Sequence, residues 1–111
     1  MIVIACPGQG SQTPGFLADW LDEPDARAFL NSASEHAGVD LVEHGTTSDA
    51  DTIRDTRVAQ PLIVAASLLA WRALSRRVSL DEVGIAGHSV GEFAAAAAAG
   101  VLSDTDALAL V

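Results

Sequence analysis

The sequence predicts an α/β fold with a short parallel sheet flanked by helices, and three observations predict it. Two short apolar runs, Ile2–Cys6 and Val83–Ala86, each end at a glycine-bearing turn and read as strands. Apolar residues at helical spacing fill the chain between and after them. The second run enters Gly87-His88-Ser89-Val90-Gly91, a sharp turn followed by an alanine-rich helix former run. The 111 residues bound the fold to one domain, and half of them are hydrophobic with only 5% aromatic. The core is therefore built from Ala, Val, Leu and Ile, which is enough for packing and excludes a disordered chain.

Each element follows in order. Ile2–Cys6 reads as a buried strand closed by Pro7-Gly8, and Pro7–Gly15 is a loop by composition. Phe16, Leu17, Trp20 and Leu21 fit one face of a short helix. Pro24 opens the next helix, with Ala26, Phe29, Leu30, Ala33 and Ala37 at helical spacing and Gly38 as its stop. Val39–Thr47 suggests a single helical turn, and Ser48 with Asp51 resembles a capping box. The longest helix starts near Pro61, in whose first turn no N–H is missed. Its stripe of Leu62, Ala65, Ala66, Leu69 and Ala73, with Ile63, Val64, Leu68, Trp71 and Leu74 around it, predicts burial on several sides. Arg72, Arg76 and Arg77 sit near its end, where the macrodipole favours cations. After the second strand, Glu92–Ala99 forms a helix stopped by Gly100, and Ser103 with Asp106 opens the last helix.

Composition excludes several function classes. Fifteen acidic residues oppose six basic ones, all arginine, for a net charge of −9. Such a chain repels a phosphate backbone and an anionic membrane surface, so neither nucleic acid nor membrane is an expected partner. Cys6 stands alone, which excludes an intrachain disulfide and a polycysteine metal site. No apolar stretch is read as reaching the roughly 18 residues of a membrane span. Met1–Pro7 lacks a basic leader region, so a cytoplasmic location is expected.

Gly87-His88-Ser89-Val90-Gly91 matches the nucleophile elbow G-x-S-x-G. The chemistry needs a serine on a tight strand-to-helix turn, so that its hydroxyl stands clear of the sheet. The flanking glycines give room, and the helix N-terminus offers a dipole and the Val90 N–H to a developing oxyanion. The bland alternative makes Ser89 only a cap for the following helix. His88 adjoins Ser89, but neighbours on a sharp turn point apart, so His88 is read as structural. His36 and His44 read as surface residues. Gly8-Gln9-Gly10 lacks the lysine and the spacing of a phosphate loop.

Two motifs and one junction occur together. Pro7-Gly8-Gln9-Gly10-Ser11-Gln12 follows the first strand, Ala59-Gln60-Pro61 opens the long helix, and Gly87-His88-Ser89-Val90-Gly91-Glu92 comes last. With these, the chain from Met1 to Val111 resembles the malonyl-CoA:acyl-carrier-protein transacylases of fatty-acid synthesis and the acyltransferase domains of polyketide synthases. The resemblance implies the N-terminal portion of an α/β-hydrolase-like acyltransferase domain, residues 1–111 being an incomplete large subdomain without the smaller ferredoxin-like one. It implies Ser89 as nucleophile, attacking a malonyl thioester and passing the acyl group to the phosphopantetheine thiol of acyl carrier protein. Gln9 and Val90 are implied as oxyanion-hole donors, and Gln60 and His88 as residues lining the pocket. No metal or resident cofactor is implied. In that family an aliphatic residue at the position of Val90 goes more often with malonyl than with methylmalonyl units, which leaves the choice between the two open. Cys6 departs from the family's usual aromatic or aliphatic residue and fills core space.

The family's catalytic histidine and malonate-binding arginine match no position here, so the chain alone is expected to be inactive. Arg72, Arg76 and Arg77 precede the elbow and do not correspond. The remaining C-terminal part of the enzyme is thus an expected partner, and with it the basic surface that anionic substrates need. Two rival readings stay open: a serine hydrolase of lipase or patatin type, and a non-catalytic remnant that binds a partner subunit.

Overall fold

Strand β1, Ile2–Cys6, pairs in parallel with β2, Val83–Gly87, in the computed structural model, which describes Met1–Val111. The register runs from Ile2 opposite Val83 to Cys6 opposite Gly87. Both strands therefore end at one level, and the chain segments that leave them start side by side. The fold class is the α/β arrangement expected, a two-stranded parallel sheet with helices beside it, of which the one following the second strand packs on both strands.

Burial of β1 differs from expectation. Ile2 and Val3 are 61% and 59% exposed, and only Cys6 is buried. An apolar run marks a strand, but burial depends on what covers its faces. Here the helix after the elbow packs on β1, and Ile2 and Val3 lie outside that cover.

The core lies among the helices. These are α1 (Ala26–Ala37), α2 (Leu41–Thr46), α3 (Ala50–Arg54), α4 (Thr56–Arg77), α5 (Gly91–Ala98) and α6 (Asp104–Leu110). α4 packs against all five others. Leu62, Ile63, Val64, Ala65, Leu68 and Leu69 on it are fully buried, as its near-continuous apolar surface predicted. It starts earlier than read, because the Asp55 carboxylate accepts the Arg57 N–H at 2.9 Å and caps it there. Pro61 consequently lies inside the helix rather than in its first turn. The earlier start also corrects the expectation that no apolar stretch is long enough to cross a membrane. α4 has 22 residues and is long and apolar enough to cross a membrane by length and composition, although half of its most apolar 18-residue stretch is buried in the core.

Two further local readings are corrected. Phe16–Leu21 forms turns and a 3-10 turn at Asp19–Asp22 instead of a regular helix. Leu17 donates its N–H to Gly45 at 3.0 Å and is fully buried, and a Cβ on Gly45 would stand 2.6 Å from its Cδ1. Tertiary packing of that side chain overrides the local helical spacing. The cap of α3 is Asp49, which accepts the Thr52 N–H at 2.8 Å, and not Ser48, whose hydroxyl pairs with His44 Nδ1. Gly38 closes α1 at φ 75°, and Ser103 caps α6, both as expected. Arg72 lies over the Phe29 ring at 4.6 Å, and Arg77 pairs with Glu23 at 2.7 Å. The arginines at the end of α4 thus hold neighbouring segments as well as facing the dipole.

Candidate active site

The elbow is built from its backbone outward. The His88 N–H donates to the Cys6 carbonyl at 3.0 Å and carries the strand ladder one residue past β2. The chain then reverses: the His88 and Ser89 carbonyls accept from the Gly91 and Glu92 N–H groups, each at 3.0 Å. Ser89 sits at φ 56°, a left-handed conformation that costs a non-glycine residue about 1–3 kcal/mol. Both flanking glycines are dictated by close backbone approach. A Cβ on Gly87 would stand 2.5 Å from the Glu92 nitrogen. One on Gly91 would overlap the Cys6 carbonyl and stand 2.6 Å from that of Pro7.

Ser89 is exposed, and its side chain caps nothing: Val90 is the N-cap of α5, with no side-chain hydrogen bond there. The capping alternative therefore does not account for the serine. Val90 buries its side chain, 5% exposed, while its N–H opens α5.

The Pro7–Gln12 loop lies against this turn. A Cβ on Gly8 would stand 2.8 Å from His88 Nδ1 and 3.5 Å from Ser89 Cβ, so a side chain there would separate loop from elbow. The strand register is the cause, since the loop leaves Cys6 beside Gly87. The N–H groups of Gln9 and Val90 donate to no protein acceptor. The Gln9 side chain points to the α3–α4 junction, donating to Thr56 Oγ1 at 3.1 Å and to the Arg54 carbonyl at 3.4 Å. Gln60 is half-buried one helical turn beyond Thr56, on the same face of α4. The structure thus gathers Ser89, Val90, His88 and the Gln9 loop, with Gln60 on the helix that anchors the loop.

His88 is exposed, and its ring makes no hydrogen bond with Ser89. His36 Nδ1 pairs with the Ser32 carbonyl and His44 Nδ1 with the Ser48 hydroxyl, each at 2.9 Å. His44 is half-buried rather than a surface residue. Five of the six arginines have acidic neighbours within 4.0 Å. A cavity of about 290 Å³ opens between β1 and α4, lined by Cys6, Ser11, Phe16, Ile63 and Trp71 among others. Ser89, Gln9, Gln60 and His88 do not border it. Burial pushes the Cys6 thiol up, disfavouring the thiolate.

Sequence reasoning missed the residues that hold the loop. Gln12 donates to the Ile53 carbonyl at 3.0 Å and accepts the Gly10 N–H at 2.8 Å. Ser11 donates to the Gly8 carbonyl at 2.9 Å. Two glutamines in a glycine-rich loop were the only signal for this.

A parallel strand, a serine at positive φ and a helix N-terminus define an α/β protein built on a strand–serine–helix elbow. The acyl transferase domain family matches residues 3–111. The chain belongs to that family. It is 53% identical over 99% of its length to the malonyl CoA-acyl carrier protein transacylase of Mycobacterium tuberculosis, and spans 37% of that protein. The crystal structure of MCAT from the same organism superposes with a TM-score of 0.94 at 52% identity, covering 99% of this chain and 37% of that one. A complex of a type II PKS acyl-carrier protein with its malonyl-transacylase gives 0.88 at 33% identity, covering 98% and 36%. The architecture is that of the N-terminal part of this acyltransferase fold.

Proposed function

We propose that these residues form the nucleophile-bearing part of an enzyme that transfers malonyl groups from coenzyme A to acyl carrier protein, in fatty-acid or polyketide synthesis. The single observation that carries the reading is Ser89 at φ 56°, exposed and beside the Gly8–Gln9 loop. Ser89 Oγ attacks the thioester carbon, and the tetrahedral oxyanion accepts from the Gln9 and Val90 N–H groups. The carbon–sulfur bond breaks, coenzyme A leaves as a thiol, and malonyl stays as a Ser89 ester. The phosphopantetheine thiol of the carrier protein then attacks that ester and releases Ser89. Gln60 and His88 border the acyl group, and no metal or resident cofactor takes part. A cytoplasmic setting suits these water-soluble substrates.

The general base and the carboxylate-binding arginine are assigned to polypeptide outside these residues. All three histidines here lack a hydrogen bond to Ser89, and two are held elsewhere. Residues 1–111 are accordingly an incomplete domain, expected to show no transfer alone.

The test incubates the intact protein with malonyl-CoA and then with holo acyl carrier protein, and follows the Ser89 peptide by mass spectrometry. A malonyl mass on Ser89 that passes to the carrier thiol is expected. Ser89→Ala should lower transfer at least about 10⁴-fold. Acyl-serine that yields to water faster than to the thiol would instead favour a hydrolase, and activity that survives Ser89→Ala would sink the reading.

A further inference from the structure

We propose that Ser11 and Gln12 are positioning residues for the oxyanion peptide, an assignment that rests on Gln9 donating its N–H as proposed above. The N–H of Gln9 belongs to the Gly8–Gln9 peptide, whose carbonyl is that of Gly8. In a trans peptide these two groups lie in one plane and point in opposite directions. Ser11 Oγ donates to the Gly8 carbonyl at 2.9 Å. Holding the carbonyl therefore sets the direction of the Gln9 N–H and polarises it.

Gln12 holds the adjoining peptide. Its Oε1 accepts the Gly10 N–H at 2.8 Å, and its Nε2 donates to the Ile53 carbonyl at 3.0 Å. An amide oxygen only accepts and an amide nitrogen only donates, so this orientation alone satisfies both contacts. Gly10 lies at φ 110°, a conformation natural only to glycine, with its N–H turned to Gln12.

The anchor is itself well chosen. Ile53 and Arg54 are the last residues of α3, where helix carbonyls lack intrahelical donors. Gln12 supplies a donor to Ile53 and Gln9 Nε2 one to Arg54 and to Thr56. Two glutamine side chains thereby finish a helix end and fix the loop in one step. The Ile53 side chain is buried, so the attachment point is rigid. The same loop leans on the elbow through Gly8. Oxyanion donors act only when held in place before reaction, and misplacement of a donor by about 1 Å is worth up to about 100-fold in rate.

The test measures kcat and KM for malonyl transfer by the intact protein, with thermal unfolding alongside. Ser11→Ala should lower kcat about tenfold with KM for malonyl-CoA changed less than about twofold. Ser11→Thr, which keeps the hydroxyl, should restore kcat to within about threefold. Gln12→Met, close in volume but without hydrogen bonds, should lower kcat about tenfold or more. Full rate in Ser11→Ala, or a Ser11→Thr no faster than Ser11→Ala, overturns the assignment. So does a loss that tracks a fall in unfolding temperature and a rise in KM. A parent protein that forms no acyl-Ser89 sinks the proposed function and this assignment together, whereas a parent that acylates and variants at full rate sink the assignment alone.

Discussion

The helical layer and the sheet end of the molecule are built on opposite terms. Around α4 the side chains are apolar, buried and regular; α1, α5 and α6 pack against it, and Leu62, Leu68 and Leu69 belong to one buried core. At the sheet end Ile2 and Val3 are exposed, Ser89 occupies a strained conformation, and glycines replace side chains where backbones meet. The difference teaches where stability and strain are kept. The helices hold the fold together, and that surplus tolerates a local conformation that presents Ser89 and two free N–H groups.

Four measurements break or sharpen this contrast. Leu62→Ala, at the centre of the helical layer, should lower stability by about 2–5 kcal/mol in chemical denaturation. A cost under about 1 kcal/mol would mean that the helices are not the stabilising half. Gly91→Ala should cost about 1–3 kcal/mol and also abolish Ser89 acylation, because its Cβ meets the Cys6 and Pro7 carbonyls. Unchanged acylation would show that the elbow tolerates movement.

Ser89→Gly should be more stable than Ser89→Ala by about 1 kcal/mol, since alanine keeps the left-handed strain and glycine relieves it. Equal stabilities would remove strain from the account of the elbow. The smallest effect concerns acid. Hydrogen bonds from Thr52 hold the Asp49 carboxyl below its ordinary value, and those from Arg57 do the same for Asp55. A lowered folded-state value means that both caps contribute fully above the ordinary carboxylate pKa of 3.8. That contribution fades as the pH falls below 3.8 through the folded values. Amide exchange at Thr52 and Arg57 should accelerate relative to the core amides of α4 on acidification, and Asp49→Asn should flatten the change at Thr52. Exchange at both sites that stays independent of pH once intrinsic chemistry is removed would rule the caps out.

Much of the fold was legible because its signals are local. Ile2–Cys6 and Val83–Ala86 are short apolar runs between turns, and both are strands. Gly38, Gly100 and Ser103 mark helix boundaries through backbone freedom and a single hydroxyl. The elbow was legible because glycine, serine and glycine at fixed spacing meet one steric need. Errors arose where distant residues decide. Leu17 is drawn into the core by Gly45, which breaks the helical spacing around it. The start of α4 is set by Asp55, whose capping role no apolar pattern reveals. Ser48 lost the cap of α3 to Asp49 because His44 takes its hydroxyl.

By itself, then, the sequence determined the order of elements, the apolar character of α4 and the backbone form of the elbow. Each depends on residue types within a few positions of one another. Only the tertiary structure decided that the Gly8–Gln9 loop meets Ser89, that Ser11 and Gln12 hold that loop, and that β1 is left exposed. Those outcomes follow from the parallel register, which brings Cys6 beside Gly87, and from where the helices pack. Hydrogen bonds across forty residues, such as Gln12 to Ile53, have no periodicity to read.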